Sequence, residues 1–297
     1  MAEKEVPLGL KFVFGGLSGC GAVCVAQPMD LVKNRMQVSG EGGGARLYNN
    51  SFHCAQTIIK TEGIAGLYSG LTASFARQLS YTTVRLGVYQ TLLGRFSKDG
   101  ETPGFALKAA LGMTAGSIGA FFGTPADVAL VRMTVDKRLP PAERRNYSSV
   151  LDAWAKIVKH EGITALWRGV LPTIYRAMIV NVCQLSVQTQ AKEAIYDQFK
   201  VENKLALSFY GSMVAGFVTA CVSLPVDMAK TRTQNMKVID GKPEYKGMLD
   251  VIQRTAKSEG VPALWKGWTP YFARTAPITV VTLVLMDMFM FQYRKMS

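Results

Sequence analysis

The chain has 297 residues, of which 48% are hydrophobic and 19% are charged, and its formal net charge is +13. With 28 glycines, it is more apolar and richer in glycine than an ordinary soluble protein, which favours a polytopic membrane protein. Because the Lys and Arg residues are spread between apolar segments and form no basic run with interleaved aromatic residues, the positive charge indicates an anionic lipid surface or an anionic substrate and argues against nucleic acid.

The first unit of the chain consists of two apolar segments, 8–37 and 72–96, joined by a polar loop. Each segment is long enough for a membrane helix, which needs ~20 predominantly apolar residues. The first segment contains the string Pro28-Met-Asp30-Leu-Val-Lys33, and the loop contains Glu62-Gly63. The unit therefore predicts an apolar helix, a loop with a short amphipathic helix, and a second apolar helix.

The same two strings recur in the segments and loops that follow. Pro125 and Pro225 stand 97 and 100 residues after the preceding copy, and Glu161-Gly162 and Glu259-Gly260 follow them. Two strings that each occur three times in register identify tandem repeats. We therefore expect a single domain over 1–297 with the repeats 8–99, 104–200 and 205–297, and with further membrane segments at 104–134, 171–198, 205–234 and 269–295.

The predicted fold is an all-α membrane protein with six transmembrane helices in three tandem, pseudo-threefold repeats of about 100 residues. Because the number of crossings is even, both termini lie on one side and the three long loops lie on the other. These loops hold most of the basic residues outside the membrane segments, which the positive-inside tendency assigns to the inner side. Both termini therefore face outward, and the basic loop residues favour anionic lipid: Lys137, Arg138, Arg144, Arg145, Lys237, Lys242 and Lys246.

The recurring proline string predicts a kink and a set of paired charges at one depth. Proline removes a backbone hydrogen bond inside a helix, and an ionisable residue at this depth is expected to face a cavity and to pair with another. The acids and bases of the three copies are expected to form a ring of ion pairs that closes one end of a pore; snorkelling at helix ends is the alternative. Leu130 stands where the second copy would have its lysine, so the ring holds at most two of its three bonds. The kink residues are Pro28, Pro125 and Pro225, and the gate residues are Asp30, Lys33, Asp127, Asp227 and Lys230.

An arginine occurs 14 residues after the glycine of each Glu-Gly pair, at Arg77, Arg176 and Arg274. Under threefold pseudo-symmetry these guanidinium groups lie at one depth, only a turn or two inside the membrane segments. They either converge on a cavity or snorkel to the headgroups. Because Arg stays charged and binds carboxylates in a bidentate manner, a converging set would bind a small polyanion.

Two further residues of the second membrane segment favour the cavity. Tyr81 and Arg85 lie four and eight residues after Arg77 on the same helix face, deeper in the membrane, where an Arg reaches water only if that face lines a pore. The equivalent positions of the other repeats differ, as the selection of one substrate requires; they are Val180, Gln184, Ile278 and Thr282. We expect a cavity with four arginines and no matching acid, which suits a dianion. The candidate substrate-binding residues are Arg77, Tyr81, Arg85, Arg176, Gln184 and Arg274.

The repeated strings resemble the signature of the mitochondrial carrier family. That signature is Pro-x-[Asp/Glu]-x-x-[Lys/Arg]-x-[Lys/Arg], followed by [Asp/Glu]-Gly and an aromatic residue-[Lys/Arg]-Gly, and the likeness covers all three copies and nearly the whole chain. The resemblance implies a multi-pass protein of the mitochondrial inner membrane, with both termini toward the intermembrane space. It also implies a substrate cavity between a matrix gate and a cytoplasmic gate, with Gln37 and Gln234 bracing the matrix gate where the second copy has Thr134.

Three stretches are similar to one branch of this family, which exchanges matrix 2-oxoglutarate for cytosolic malate in an electroneutral antiport. They are RQLSYTTVRLGVY (77–89), YRAMIVNVCQ (175–184) and YFARTAP (271–277). The likeness implies small dicarboxylate substrates, alternating access, and substrate contact from Arg77, Tyr81, Arg85, Arg176 and Arg274. Nucleotides are disfavoured, because Arg176-Ala177 stands where nucleotide carriers have glycine and a branched apolar residue. The cytoplasmic gate of the family has a [Phe/Tyr]-[Asp/Glu] pair in each repeat. The corresponding positions of this chain are Tyr89-Gln90, Gln188-Thr189 and Leu285-Met286. None of these pairs contains an acid, so the likeness predicts a weak cytoplasmic gate.

Other functions stay open at this point. A dicarboxylate/phosphate exchanger and an uncoupling-type proton-leak protein share this frame, and so does a membrane interaction protein that affects mitochondrial morphology or apoptosis. An enzyme is not expected, because His53 and His160 lie in loops without a nucleophile or metal constellation. No metal or cofactor is expected either, because the cysteines lack the spacing of metal ligands or of a disulfide framework. These are Cys20, Cys24, Cys54, Cys183 and Cys221.

Overall fold

A computed structural model of the chain describes residues 8–41, 47–96, 104–139, 144–200, 203–236, 238–239 and 242–296. Three similar units follow one another, each with a long helix, a short helix, a 3-10 turn and a second long helical segment. The helices are α1 (Leu8–Val38), α2 (Ser51–Glu62), α3 (Leu71–Phe96), α4 (Phe105–Asp136), α5 (Val150–Glu161), α6 (Val170–Phe199), α7 (Lys204–Asn235), α8 (Met248–Glu259), α9 (Trp268–Ala273) and α10 (Thr275–Met296). The 3-10 turns are η1 (Ile64–Tyr68), η2 (Ile163–Trp167) and η3 (Val261–Trp265), and β1 (Val238–Ile239) pairs with β2 (Lys242–Pro243) in a short hairpin.

The long helices correspond to the six predicted membrane segments, which confirms the all-α, three-unit architecture. The sixth segment differs from the prediction of one helix over 269–295, because it is divided at Arg274 into α9 and α10. Pro277 lies in the first turn of α10 and has no N–H to donate to the Ala273 carbonyl, so a continuous helix would lose that bond. The proline therefore starts a new helix.

Three stretches of the described residues are long and apolar enough to cross a membrane by themselves, namely Ala106–Asp136, Ile163–Gln198 and Ala206–Asn235. The long helices outside these stretches include α3, which carries Arg77 and Arg85 on a face that lines an internal cavity. A helix that turns charged groups to an interior cavity has a lower mean hydropathy than one surrounded by lipid and protein, although its length is the same.

The short helices α2, α5 and α8 are amphipathic, as predicted. Each buries two side chains four residues apart on one face, for example Ala153 and Ile157 in α5, because positions i and i+4 share a face of a helix. Each exposes a large apolar side chain near its start, at Phe52, Leu151 and Leu249. The helices therefore pack under the long helices with one face while the other stays at the surface.

Two glycines delimit the turn between the short and the long helix of each unit. In the second unit Gly162 has φ of 85° and Gly169 has φ of 76°, a region that residues with a side chain rarely adopt. The recurring Glu-Gly and aromatic-x-Gly strings therefore encode one backbone path three times.

The units close into a ring. Helix α3 packs against α4, α6 packs against α7, and α1 packs against α10, so each unit contacts the next and the last contacts the first. Close approach of α3 and α4 depends on glycine, since a Cβ atom at Gly123 would lie 3.0 Å from the Cβ atom of Tyr81. The ring surrounds the cavity described below.

Candidate functional site

Two lysine–aspartate ion pairs join different repeats just beyond the helix prolines. Lys33 Nζ lies 2.7 Å from Asp227 Oδ2, and Lys230 Nζ lies 2.7 Å from Asp127 Oδ2. All four residues are buried. Leu130 occupies the equivalent position of the second repeat, so Asp30 has no lysine from that repeat to bind.

The three equivalent arginines contact the same carboxylates from the cavity side. Arg77 Nε lies 3.7 Å from Asp127 Oδ1, Arg176 pairs with Asp227, and Arg274 pairs with Asp30. Each arginine therefore bridges two repeats. Asp30, which Leu130 leaves without a lysine, is bound by a cavity arginine instead.

This pairing corrects the expectation of four arginines without a matching acid. That expectation was wrong because spacing along a helix gives the height of a side chain but not its lateral reach. A guanidinium group extends several ångströms from its helix axis, and here it spans the gap between the cavity floor and the gate.

A cavity of about 570 Å³ lies above these pairs, enclosed by α1, α3, α6, α7, α9 and α10. Its deep end contains Asp30, and a smaller cavity of about 60 Å³ continues into the gate. The structure brings together most of the predicted substrate-binding positions and their equivalents along this cavity: Arg77, Tyr81, Arg85, Arg176, Val180, Arg274, Ile278 and Thr282. The side chain of Gln184 lies outside the described part of the structure.

Arg85 differs from the other cavity arginines in its surroundings. Its guanidinium carbon lies 5.5 Å from the centre of the Tyr81 ring, a cation–π distance, and within the described residues it pairs with no carboxylate. It also lines a neighbouring pocket of about 300 Å³ together with Tyr89, Asn181 and Gln188. Arg85 is therefore the cavity arginine most available to an anion.

The predicted braces Gln37 and Gln234 are both fully buried below the ion pairs. Gln37 Oε1 accepts a hydrogen bond from Thr231 Oγ1 at 2.7 Å, and Gln234 Nε2 donates to Thr173 Oγ1 at 3.4 Å. Within the described residues neither amide contacts a gate carboxylate or lysine directly. Their role as braces stays a prediction.

Three buried arginines below the gate were not singled out from the sequence. Arg35, Arg132 and Arg232 pair with Glu62, Glu161 and Glu259 of their own repeats. Each also donates its Nε–H to a carbonyl of another repeat, those of Thr134, Gln234 and Gln37. The sequence contained a signal for these pairs. In the three copies, the last basic residue of the proline string and the glutamate of the Glu-Gly string are 27, 29 and 27 residues apart.

The second of these glutamates shows the electrostatics of the lower layer. Burial opposes the ionisation of Glu161, but hydrogen bonds and attraction from Arg132, together with Arg168 and Arg145, hold its pKa below the ordinary value. The carboxylate therefore stays ionised and ties α4 to α5 and η2.

A further carboxyl group links the first and third repeats on the loop side. The Tyr245 hydroxyl donates to Glu41 Oε1 at 3.1 Å. Burial raises the pKa of Glu41 to about 7 although the Arg232 guanidinium opposes this, and the nearby Glu244 carboxylate adds to the rise. This group titrates near neutral pH.

The expected position of the cytoplasmic pair in the third repeat needs correction by one residue. The register that aligns Arg77, Arg176 and Arg274 places Met286-Asp287 opposite Tyr89-Gln90 and Gln188-Thr189. The second and third sets are 98 residues apart and the first and second are 99 apart, whereas the position Leu285-Met286 assumes a separation of only 97. The third repeat therefore retains an acid, Asp287, at this position.

Comparison with known proteins agrees with the repeat structure. A profile of the family described as mitochondrial carrier protein matches residues 4–100, 101–199 and 201–297. The mitochondrial 2-oxoglutarate/malate carrier protein of Mus musculus is 50% identical over 294 residues, which cover 99% of this chain and 94% of that protein. The protein of the same description from Caenorhabditis elegans is 51% identical over 285 residues, covering 96% and 93%. The mitochondrial uncoupling protein 5 of Arabidopsis thaliana is 41% identical over 305 residues, covering 94% and 96%.

Proposed function

This chain belongs to the mitochondrial carrier family, and from that premise we propose that it exchanges 2-oxoglutarate for malate or related dicarboxylates across the mitochondrial inner membrane by alternating access. The names of relatives about half identical over nearly the whole chain support this substrate pair. The observation that carries the proposal is the set of three arginines at the deep end of the cavity, each already bound to a carboxylate.

The charge of the site suits a small dianion. The described residues that line the cavity and gate include six cationic side chains and three carboxylates, a net charge of +3. A bound dianion reduces this excess to a single charge, whereas a cation would increase it. The cations are Lys33, Arg77, Arg85, Arg176, Lys230 and Arg274, and the carboxylates are Asp30, Asp127 and Asp227.

The arginine–aspartate pairs supply a route from binding to gate opening. A substrate carboxylate is chemically equivalent to the aspartate that each arginine binds in the empty site, so substrate competes with Asp30, Asp127 and Asp227 for the same guanidinium groups. An aspartate that loses its arginine holds its repeat less firmly to the neighbouring repeat. Substrate thus lowers the barrier between the two access states, while the empty site keeps its pairs and switches slowly. Slow switching of the empty form produces exchange rather than net transport.

The same proposal orients the chain. The cavity extends from the gate toward the ends of the helices that carry the two termini, which we place on the intermembrane-space side. The basic loops and the three short helices then face the matrix, where anionic lipid attracts them. The repeat boundaries 8–99, 104–200 and 205–297 are part of this proposal, as are the substrate, gate, brace and kink residues.

The test is uptake of labelled 2-oxoglutarate into liposomes that hold the purified protein. The liposomes are loaded with malate, phosphate, ATP or buffer alone. We expect rapid uptake with malate inside and at most slow uptake with the other three. Equal uptake with buffer inside would contradict exchange, and uptake driven best by phosphate or ATP would contradict the substrate class.

The likeness to an uncoupling protein supports one second candidate, a proton-leak function. Liposomes with a pH-sensitive dye inside distinguish the two. A proton flux that follows an imposed potential without any dicarboxylate would favour the leak, whereas no flux above that of empty liposomes would favour exchange alone.

A further inference from the structure

Helix α7 contains a proline whose missing hydrogen bond is supplied by a side chain. Pro225 has no N–H, so the Cys221 carbonyl, four residues earlier, lacks the helix bond that it would otherwise accept. Trp265, the last residue of η3, donates its indole Nε1–H to this carbonyl at 2.9 Å. The indole therefore fills the gap that the proline opens.

The indole also joins the two halves of α7 across the proline. The half after Pro225 is bound to the segment that carries Trp265, because Arg232 Nη1 lies 2.6 Å from Glu259 Oε1, at the end of α8 just before η3. The half before Pro225 contains the Cys221 carbonyl that accepts the indole bond. One side chain thus ties the first half to a segment that is itself fixed to the second half.

Among the described residues, neither of the other two repeats has this bond. In the second repeat the equivalent Trp167 packs its ring 5.9 Å from that of Phe121, whose carbonyl Pro125 leaves free, but its indole nitrogen is buried without a partner among the described residues. In the first repeat the equivalent residue is Tyr68, which has no indole. There the Gln27 amide, just before Pro28, donates instead to the Ser69 carbonyl at 2.8 Å.

We propose that Trp265 is a positioning residue for transport, whose indole N–H holds the two halves of α7 in the arrangement that brings Asp227 and Lys230 into the gate. The functional part of this inference rests on the proposed transport activity. The structural part does not, because it concerns only the bond between Trp265 and Cys221. Trp265 is not among the described residues that line the cavity or the gate, and it acts through α7.

The first test compares Trp265→Phe with Trp167→Phe. Both changes remove an indole N–H and the same ring area at equivalent positions, but only the first removes a hydrogen bond. We expect Trp265→Phe to lower the Tm of the purified protein by about 2–4 °C, the size of one hydrogen bond in a chain of this length, and Trp167→Phe to change it far less. The maximal exchange rate should fall about fivefold in Trp265→Phe with the half-saturation concentration unchanged within about twofold. Equal effects of the two changes on Tm and rate would overturn the proposal.

A double-mutant cycle provides the second test. Pro225→Ala restores a backbone N–H that can donate to the Cys221 carbonyl, so the indole becomes redundant in that background. The Tm loss from Trp265→Phe should therefore be largely absent in Pro225→Ala, while Trp167→Phe and Pro125→Ala should act independently. Additive Tm changes at 225 and 265 would refute the bond's proposed role. If Pro225→Ala does not fold, the comparison of the two tryptophan variants still decides.

The two proposals fail separately. Because Tm is measured without substrate, coupling between positions 225 and 265 in a protein that exchanges no dicarboxylate would leave the hydrogen-bond inference standing and overturn the transport function. Dicarboxylate exchange with no difference between the tryptophan variants would support the transport function and overturn the hydrogen-bond inference.

Discussion

Replacing Leu130 by lysine is expected to slow transport by adding a third inter-repeat pair to the gate. Lys33 and Lys230 each contact an aspartate of another repeat, whereas Leu130 leaves Asp30 to Arg274. Leu130 lines the small gate cavity together with Asp30, so a lysine at this position is placed to share Asp30 with Arg274, as Lys33 and Arg176 share Asp227.

The magnitude follows from the exposure of the partner. The Asp30 side chain is 18% exposed, against 2% for Asp227, so the new pair would be shielded less than the existing ones. We therefore assign the new ion pair a stabilising free energy of about 1–2 kcal/mol, between the worth of an exposed pair and the cost of breaking a buried one. Because this free energy stabilises the closed gate and not the open one, it lowers the maximal exchange rate by roughly 5- to 30-fold. The half-saturation concentration should not rise, because Asp30 is then shared with the lysine and holds Arg274 less firmly against the substrate.

The assay is initial uptake of labelled 2-oxoglutarate into malate-loaded liposomes over a range of concentrations. Leu130→Met controls for the loss of leucine packing, since it keeps the volume and adds no charge. Leu130→Lys combined with Asp30→Asn keeps the lysine but removes its partner, and the rate should then recover. A Leu130→Lys protein that transports as fast as the wild type, or a slow one that Asp30→Asn fails to rescue, would refute the reasoning.

Three further predictions concern single positions. Arg85→Gln should raise the half-saturation concentration for 2-oxoglutarate about tenfold or more, because this guanidinium pairs with no described carboxylate and a charge-assisted bond to substrate is worth about 1.5–3 kcal/mol. A change confined to the maximal rate in the same uptake assay would contradict this prediction. Gly123→Ala should destabilise the protein by about 1–3 kcal/mol, since its Cβ atom would lie 3.0 Å from Tyr81 Cβ. The control Gly87→Ala should not lower the Tm, because its Cβ atom would meet nothing within 4 Å. Equal Tm changes in the two variants would argue against close packing of α3 and α4. The pKa of Glu41 is raised to about 7, above about 4.3 when unfolded, so its protonated form contributes stability that is lost as pH rises through 7. Glu41→Gln should therefore be more stable than the wild type at pH 8 and lose this advantage toward pH 5; parallel Tm curves over that range would show that Glu41 does not titrate there.

The fold was predictable because it is encoded three times. Copies of two strings fixed the repeat period, and the apolar segments between them were long enough to locate six membrane helices within a few residues of their ends. The division of the last segment at Arg274 was missed although Pro277 carried the signal, since the length of an apolar run says nothing about interruptions within it.

The site was predictable in its members but not in its contacts. Equivalent positions in a repeat lie at equal depth, so the recurrence of Arg77, Arg176 and Arg274 placed them around one axis. Their pairing with the gate aspartates depends on the distance between helices, which no spacing along one chain contains. The Trp265–Cys221 bond was hidden for the same reason, because it joins residues 44 positions apart and has no counterpart among the described residues of the other repeats.

The most direct test of the account is whether a cavity arginine binds the substrate that drives exchange. We would measure uptake of labelled 2-oxoglutarate by liposomes loaded with malate or with buffer alone, for the wild type, Arg176→Ala and Arg144→Ala, the last being an arginine of an exposed loop outside the cavity. The account predicts malate-dependent uptake that persists in Arg144→Ala and is lost in Arg176→Ala, while Arg176→Ala remains folded by its Tm. Malate-dependent uptake that survives in a folded Arg176→Ala protein would contradict it.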